Sequence, residues 1–317
     1  MKNSRILIFF FAAALAPNLF LSGQETARGV AKQTLVYADR DGKELRMDRY
    51  CPENMRENMP CVIFMHGGSF RGGARDAKSY LACFDDLAAH GYTVLSIDYR
   101  LGLKNAKPKN MQEIIAALKH AVDMAVEDLY DASRFVLEHA GEWKIDAQKI
   151  VIGGSSAGAI AVLQAEYERC NQTEAAARLP HGFRYAGVIG FAGAVLSQGD
   201  LQCREQPAPA LLFHGDCDRT VPFDRLAVDK VNMLGSQEIA RQLQEAGAPC
   251  CLYRYVGSGH EIANRPMTDN LPEIRRFLEL WVINRQPLIW NIQVQGAERK
   301  APCPTLQLED FIQSNFK

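Results

Sequence analysis

The chain has almost no excess charge of either sign. Its 36 Lys and Arg face 37 Asp and Glu, a formal net charge of −1 over 317 residues. A nucleic-acid partner needs a basic field, so none is expected. Long hydrophobic runs are scarce. Ile6–Ala16 falls short of the roughly 18 apolar residues that cross a bilayer, and Pro17-Asn18 interrupts it. There is no internal repeat, no low-complexity linker and no C-x-x-C pair, and the cysteine spacings suggest no zinc site. Also missing is the Gly-Lys-Ser/Thr of a P-loop. Ser155 stands where a dinucleotide-binding G-x-G-x-x-G turn needs its second glycine.

What remains is a globular chain. Hydrophobic residues make up 47%, too many for disorder, and the length supports a self-sufficient core. Lys2 and Arg5 precede the Ile6–Ala16 run and a small residue, Gly23, follows it, which reads as a secretory signal cleaved near 23. The expected division is a signal at 1–23, a catalytic domain at 30–286 and a carboxyl-terminal extension at 287–317. Export to the periplasm or medium permits disulfides, and nine cysteines leave at least one sulfur unpaired. Cys61 and Cys251 sit in apolar runs and read as small core residues. Cys203 and Cys217 sit in loops, and a bridge between them is expected.

Strand and helix patterns alternate. Thr34–Tyr37 and Glu44–Tyr50 flank Asp41-Gly42, a hairpin signal. Strands are predicted at Cys61–Met65, Tyr92–Asp98, Ile150–Gly153, Tyr185–Phe191, Ala210–His214 and Cys251–Val256. Helices are predicted at 76–89, 111–125, 127–140, 156–168, 236–246 and 272–284, the second from its Ile114, Ile115, Leu118, Val122 stripe. Such alternation gives an α/β fold: a mostly parallel central sheet flanked by helices, with an antiparallel amino-terminal hairpin. Function in such sheets gathers in the loops beyond the carboxyl ends of the strands.

Those loops carry chemistry. Gly154-x-Ser156-x-Gly158 lies between a β-branched strand and a helix. There a nucleophile elbow needs small neighbours, and the N–H of Ala157 faces a reacting oxygen. His66-Gly67-Gly68 follows the first parallel strand, and its glycines let backbone N–H groups approach a substrate. His214-Gly215-Asp216-Cys217-Asp218 and Gly257-Ser258-Gly259-His260-Glu261 follow the last two predicted strands.

The ordered set HGG, DYRL, GGSSAG, HGxxDxxVP and GxGHE resembles the α/β-hydrolase superfamily, and within it the HGG-type carboxylesterases, over about residues 30–285. The resemblance implies Ser156 as nucleophile, His260 as general base and Asp218 as its orienting acid, with Asp216 as rival. It implies Gly67, Gly68 and Ala157 as oxyanion donors, although Ser69 replaces the third glycine of the HGGG form. Asp98-Tyr99-Arg100 would brace a loop. His66 and His214 would be structural, and His90, His120 and His139 solvated on helices. Hydrolysis through an acyl-Ser156 intermediate requires no metal or organic cofactor.

Phe70, Tyr99, Phe191 and Phe223 are candidate walls of a substrate pocket. The segment 192–207 is too short for a large lipase lid, so an open site is expected, with a small cap at 171–184. Openness and export suggest acetylated or feruloylated polysaccharide fragments, as for the xylan-type esterases that share these motifs. Two other readings stay open. A prolyl-oligopeptidase-like peptidase needs a β-propeller, and only a short stretch separates Gly23 from Cys61. A non-catalytic hydrolase-fold binding module typically loses a triad member, and this chain keeps all three.

Overall fold

Residues 29–40, 42–296 and 303–316 are described by a computed structural model. The expected signal segment and Asp41 lie outside them. β1 (Val30–Arg40) and β2 (Lys43–Pro52) pair antiparallel, and Arg40 faces Lys43 across a turn in which Gly42 takes φ +76°. A left-handed turn residue of this kind is what Asp-Gly signalled. The chain continues through β3 (Met59–Met65), α1 (Lys78–Ala89), β4 (Thr93–Ile97), α2 (Met111–His139), β5 (Ile145–Ser155) and α3 (Ala157–Asn171). Then come β6 (Gly187–Phe191), β7 (Ala194–Ser197), β8 (Ala210–Gly215), β9 (Arg225–Val228), β10 (Val231–Gly235), α4 (Ser236–Glu245) and β11 (Cys250–Tyr255). The last elements are α5 (Pro266–Asp269), α6 (Leu271–Phe277), β12 (Ile289–Val294) and α7 (Leu308–Phe316).

Nine strands form one sheet in the order β1-β2-β4-β3-β5-β6-β8-β11-β12. Pairings from β4 onward are parallel, and the hairpin joins antiparallel through β2 and β4. The inner strands are buried on both faces, so their sequences read as unbroken apolar runs. Ile63, Leu95, Ile152 and Leu212 pack with α2 and α3 on one face; Val62, Phe64, Val94 and Phe213 pack with α1 and α6 on the other. A small antiparallel sheet, β7-β10-β9, fills much of the span between β6 and α4.

Three expectations need correction. The two helices expected at 111–125 and 127–140 are one 29-residue helix, α2. Its buried stripe runs on unbroken through Ala125, Val126, Leu129 and Tyr130, and Asn110 caps it by accepting from Glu113 N at 3.0 Å. The helix expected at 272–284 ends as α6 and continues as a π-helical stretch, Leu278–Ile283. Beyond 286 the sheet gains an edge strand, β12, which pairs parallel with β11 from Ile289 to Val294. Cys217 bonds Cys303, not Cys203, across a Cα separation of 5.2 Å. The tail returns to the strand ends and brings Cys303 there, while Cys203 keeps a free, exposed thiol. Cys61 and Cys251 are buried core residues.

Candidate active site

Ser156 stands at the junction of β5 and α3 with φ +51° and ψ −115°, a backbone that L residues avoid. Its neighbours make that possible. A Cβ on Gly154 would lie 2.4 Å from the Gly158 carbonyl, and one on Gly158 would lie 2.1 Å from Met65 O. Both positions therefore require glycine by space alone. Ser156 N–H donates to Phe191 O at 2.8 Å, which ties the turn to the end of β6. Gly158→Ala is expected to cost about 2–4 kcal/mol of stability and most activity, whereas Gly72→Ala, with open space around its Cβ, should stay within about 0.5 kcal/mol. Urea unfolding of the two variants measures the contrast.

Three side chains from distant loops meet there. Ser156 Oγ lies 2.8 Å from His260 Nε2, and His260 Nδ1 lies 2.7 Å from Asp218 Oδ2. With the proton on Nδ1, Nε2 can accept the serine hydrogen. Asp218 is buried and also accepts from Thr220 N at 2.8 Å and Val221 N at 3.0 Å. Burial pushes its carboxyl up, but hydrogen bonds from His214 and His260 more than offset this and hold it well below the ordinary aspartate range. Asp218 therefore stays ionised opposite His260. The rival Asp216 is occupied elsewhere. Its Oδ2 accepts from Arg254 at 3.0 and 2.8 Å and its Oδ1 from Gly257 N at 2.7 Å, which holds the loop leading to His260.

The HGG loop is wound tightly. Gly68 has φ +124°, and Ser69 and Phe70 both have φ +54°. Gly67 does not join the oxyanion donors as expected. Its N–H donates to Tyr80 Oη at 3.0 Å and so is not free. The N–H of Gly68 has no partner among the described residues, and Ala157, as the first residue of α3, has no acceptor within its helix. Tyr99 supports this loop from below: its hydroxyl donates to His66 O at 2.8 Å and its ring stacks on His66 at 4.5 Å. Asp98 and Arg100 brace the same region through Arg75 at 2.7 Å and Asp128 at 2.8 Å.

Of the four aromatic residues expected to form pocket walls, only Phe70 lines the space at Ser156. Tyr99 is spent under His66. Phe191 stacks on Phe213 at 5.3 Å within the core, and Phe223 packs edge-on against His214 at 5.6 Å. All three are buried, and none lines the space at Ser156.

His214, expected to be structural, is fully buried beside the acid; its Nε2 lies 3.2 Å from Val221 O and 3.3 Å from Asp218 Oδ2, and its Nδ1 lies 2.8 Å from Ser236 Oγ. Three contributors were not foreseen: Phe311, Asn315 and Phe316, all from α7. They line the cavity at Ser156, and Asn315 Nδ2 donates to Thr220 O at 3.0 Å. The expected open site is thus covered, by the tail rather than by segment 192–207. Leu308, Phe311, Ile312, Asn315 and Phe316 recur at helical spacing, a signal present in the sequence. The expected cap at 171–184 holds only a short 3-10 turn, Ala175–Arg178, whose residues line neither the Ser156 cavity nor its neighbour beneath α7.

The family described as BD-FAE matches residues 47–125 and 117–195. Carboxylesterase NlhH of Mycobacterium tuberculosis is 31% identical over 109 residues, 34% of this chain and 29% of its own length. Kynurenine formamidase of Danio rerio is 28% identical over 109 residues, 33% of this chain and 34% of its own. The match thus spans about a third of these relatives. Among solved structures, the esterase Est2 of Thermogutta terrifontis shares the fold, with a TM-score of 0.60 at 23% identity over 81% of this chain and 93% of that one.

Proposed function

The chain has the α/β-hydrolase fold and its sequence relatives include carboxylesterases, and from that premise we propose that it hydrolyses carboxylic esters through an acyl-Ser156 intermediate. The observation that carries this reading is the unbroken relay Ser156–His260–Asp218, with bonds of 2.8 and 2.7 Å. In the first half-reaction Ser156 Oγ attacks the ester carbonyl while His260 Nε2 takes its proton. Negative charge grows on the carbonyl oxygen, and the N–H groups of Gly68 and Ala157 are the donors for it. Each such donor is typically worth about 100- to 1,000-fold in rate. His260 then returns the proton to the leaving alcohol. Water repeats the sequence against the acyl-enzyme and frees Ser156.

Labelling tests the reading directly. Paraoxon, a phosphate triester with a nitrophenolate leaving group, should place one diethylphosphoryl group on Ser156 Oγ, found by mass spectrometry of the peptide carrying that residue. Solved structures include Thermogutta terrifontis esterase 2 phosphorylated by paraoxon. Absence of label, or label on another residue, would sink the serine mechanism.

Acetyl or feruloyl groups on polysaccharide fragments are the finer substrate reading. The motifs shared with xylan-type esterases favour it; the apolar cover over Ser156 does not. Export belongs to the same proposal. It draws support from the Cys217–Cys303 disulfide, since such bonds persist in oxidising compartments. No helix among the described residues is long and apolar enough to cross a membrane.

A further inference from the structure

Beside Ser156 the free space is small, about 30 Å³. It is bounded by Phe70, Ile160, Phe311 and Phe316, among others. A second cavity of about 660 Å³ adjoins it, within the range of small-molecule sites. Leu118, Met233 and Phe311 line both spaces, so the large cavity and the nucleophile share a wall. Its walls come from three regions far apart in sequence: α2, the β9-β10 hairpin and α7. Ile115 and Leu118 project from α2, Val228 closes β9 and Met233 lies on β10, and Phe311 and Ile312 belong to α7.

The lining says what chemistry fits. Apolar side chains predominate in it, and several of its polar ones already have partners. Gln164 accepts from Leu196 N at 2.9 Å and donates to Glu168 at 2.9 Å. Lys119 and Asp123 pair at 2.7 Å on the exposed rim, and Asp200 is paired with Arg225. A sugar chain brings many hydroxyls and would find few free groups to satisfy them, a costly burial. A hydrocarbon chain asks only for apolar surface.

We propose that this cavity, roofed by α7, binds an extended apolar chain of the substrate ester, fatty-acyl or comparably long in character, running from Ser156 past Phe311. The proposal rests on the ester-hydrolase reading for the position of the carbonyl. α7 is held over the cavity by the Cys217–Cys303 disulfide, by Arg219 with Asp310 at 2.6 Å and by Arg71 over the Phe316 ring at 5.6 Å. Phe311, with Leu118 and Met233, stands between the two spaces, which makes it a specificity-determining residue for chain length.

The test uses the full chain with its disulfide intact and two readouts. The first is kcat/KM for p-nitrophenyl esters from acetate to decanoate. Buried methylenes each contribute about three- to fourfold, so the series should rise at least tenfold beyond butyrate. The second is calorimetric titration of decanoate into Ser156→Ala, which does not depend on turnover. Ile115→Trp fills the cavity and should weaken decanoate binding about tenfold or more. Ile312→Trp fills it from the α7 side and serves the same purpose if the first variant does not fold. Saturable decanoate binding lost in the filled variant supports the site. No binding, or binding unmoved by filling, overturns it. Decanoate binding without any ester turnover would instead remove the ester-hydrolase reading and leave the cavity as a ligand site.

Discussion

Ser156→Ala is expected to lower kcat toward p-nitrophenyl acetate by roughly a millionfold, the scale at which loss of a triad nucleophile leaves only binding and oxyanion donors at work. The fold should survive, because the side chain is small and its one bond to His260 is made at the partly exposed edge of the site. Backbone strain makes a second readout available. Ser156 holds φ +51°, a conformation that costs on the order of 1–3 kcal/mol for any residue with a Cβ. Ser156→Gly should be as inactive as the alanine variant and more stable than wild type by about 1 kcal/mol. Denaturant unfolding with parallel rate measurements checks both. Retention of a hundredth of wild-type activity by either variant would place the nucleophile elsewhere.

Asp218→Asn is expected to reduce kcat about 10,000-fold, with KM little changed, because an amide fixes the wrong tautomer of His260 and no longer stabilises its cation. Asp216→Asn makes the comparison informative. Asp216 binds Arg254 and Gly257 N rather than an imidazole, so its loss should lower stability and leave kcat within about tenfold. Steady-state kinetics on both variants separates the acid from its rival. Equal losses in kcat would remove the assignment of Asp218.

The pH dependence of stability has a definite sign. Asp218 has a depressed pKa in the folded chain, so its contribution is complete above the ordinary aspartate value. It is lost only as pH falls through the folded value, well into acid. Asp218→Asn should therefore flatten the acid limb of the stability curve there and nowhere else.

Much of this site could be read from short stretches of sequence. The elbow at Ser156, the acid loop and the His260 loop each announce themselves because chemistry at strand ends needs particular small and ionisable residues in a fixed order. The sheet core was legible for a similar reason: strands buried on both faces lose their polar residues. What escaped were contacts set by the third dimension. Nothing near Gly67 shows that Tyr80 Oη accepts its N–H. Nothing near Phe191 shows that its backbone, not its ring, serves the nucleophile. The continuity of α2 escapes short stretches because its buried stripe passes from Val122 through Ala125 and Val126 to Leu129 without a capping or breaking residue to mark an end. The tail was the largest omission, since its helical spacing was visible but the face it would cover lay some 90 residues away, at Thr220.

The Cys217–Cys303 bond changes how firmly that tail must bind. Without it, α7 would hang from β12, whose last residue is Val294, and its short apolar face would compete for the cavity as a weakly tethered peptide. With it, the helix begins only a few residues beyond a fixed point beside Asp218. Docking is intramolecular either way, and the shorter tether raises its effective concentration, which for short flexible tethers is roughly in the millimolar range. A contact that weak in isolation then stays seated, and the bond keeps α7 over Ser156 as a wall of the cavity.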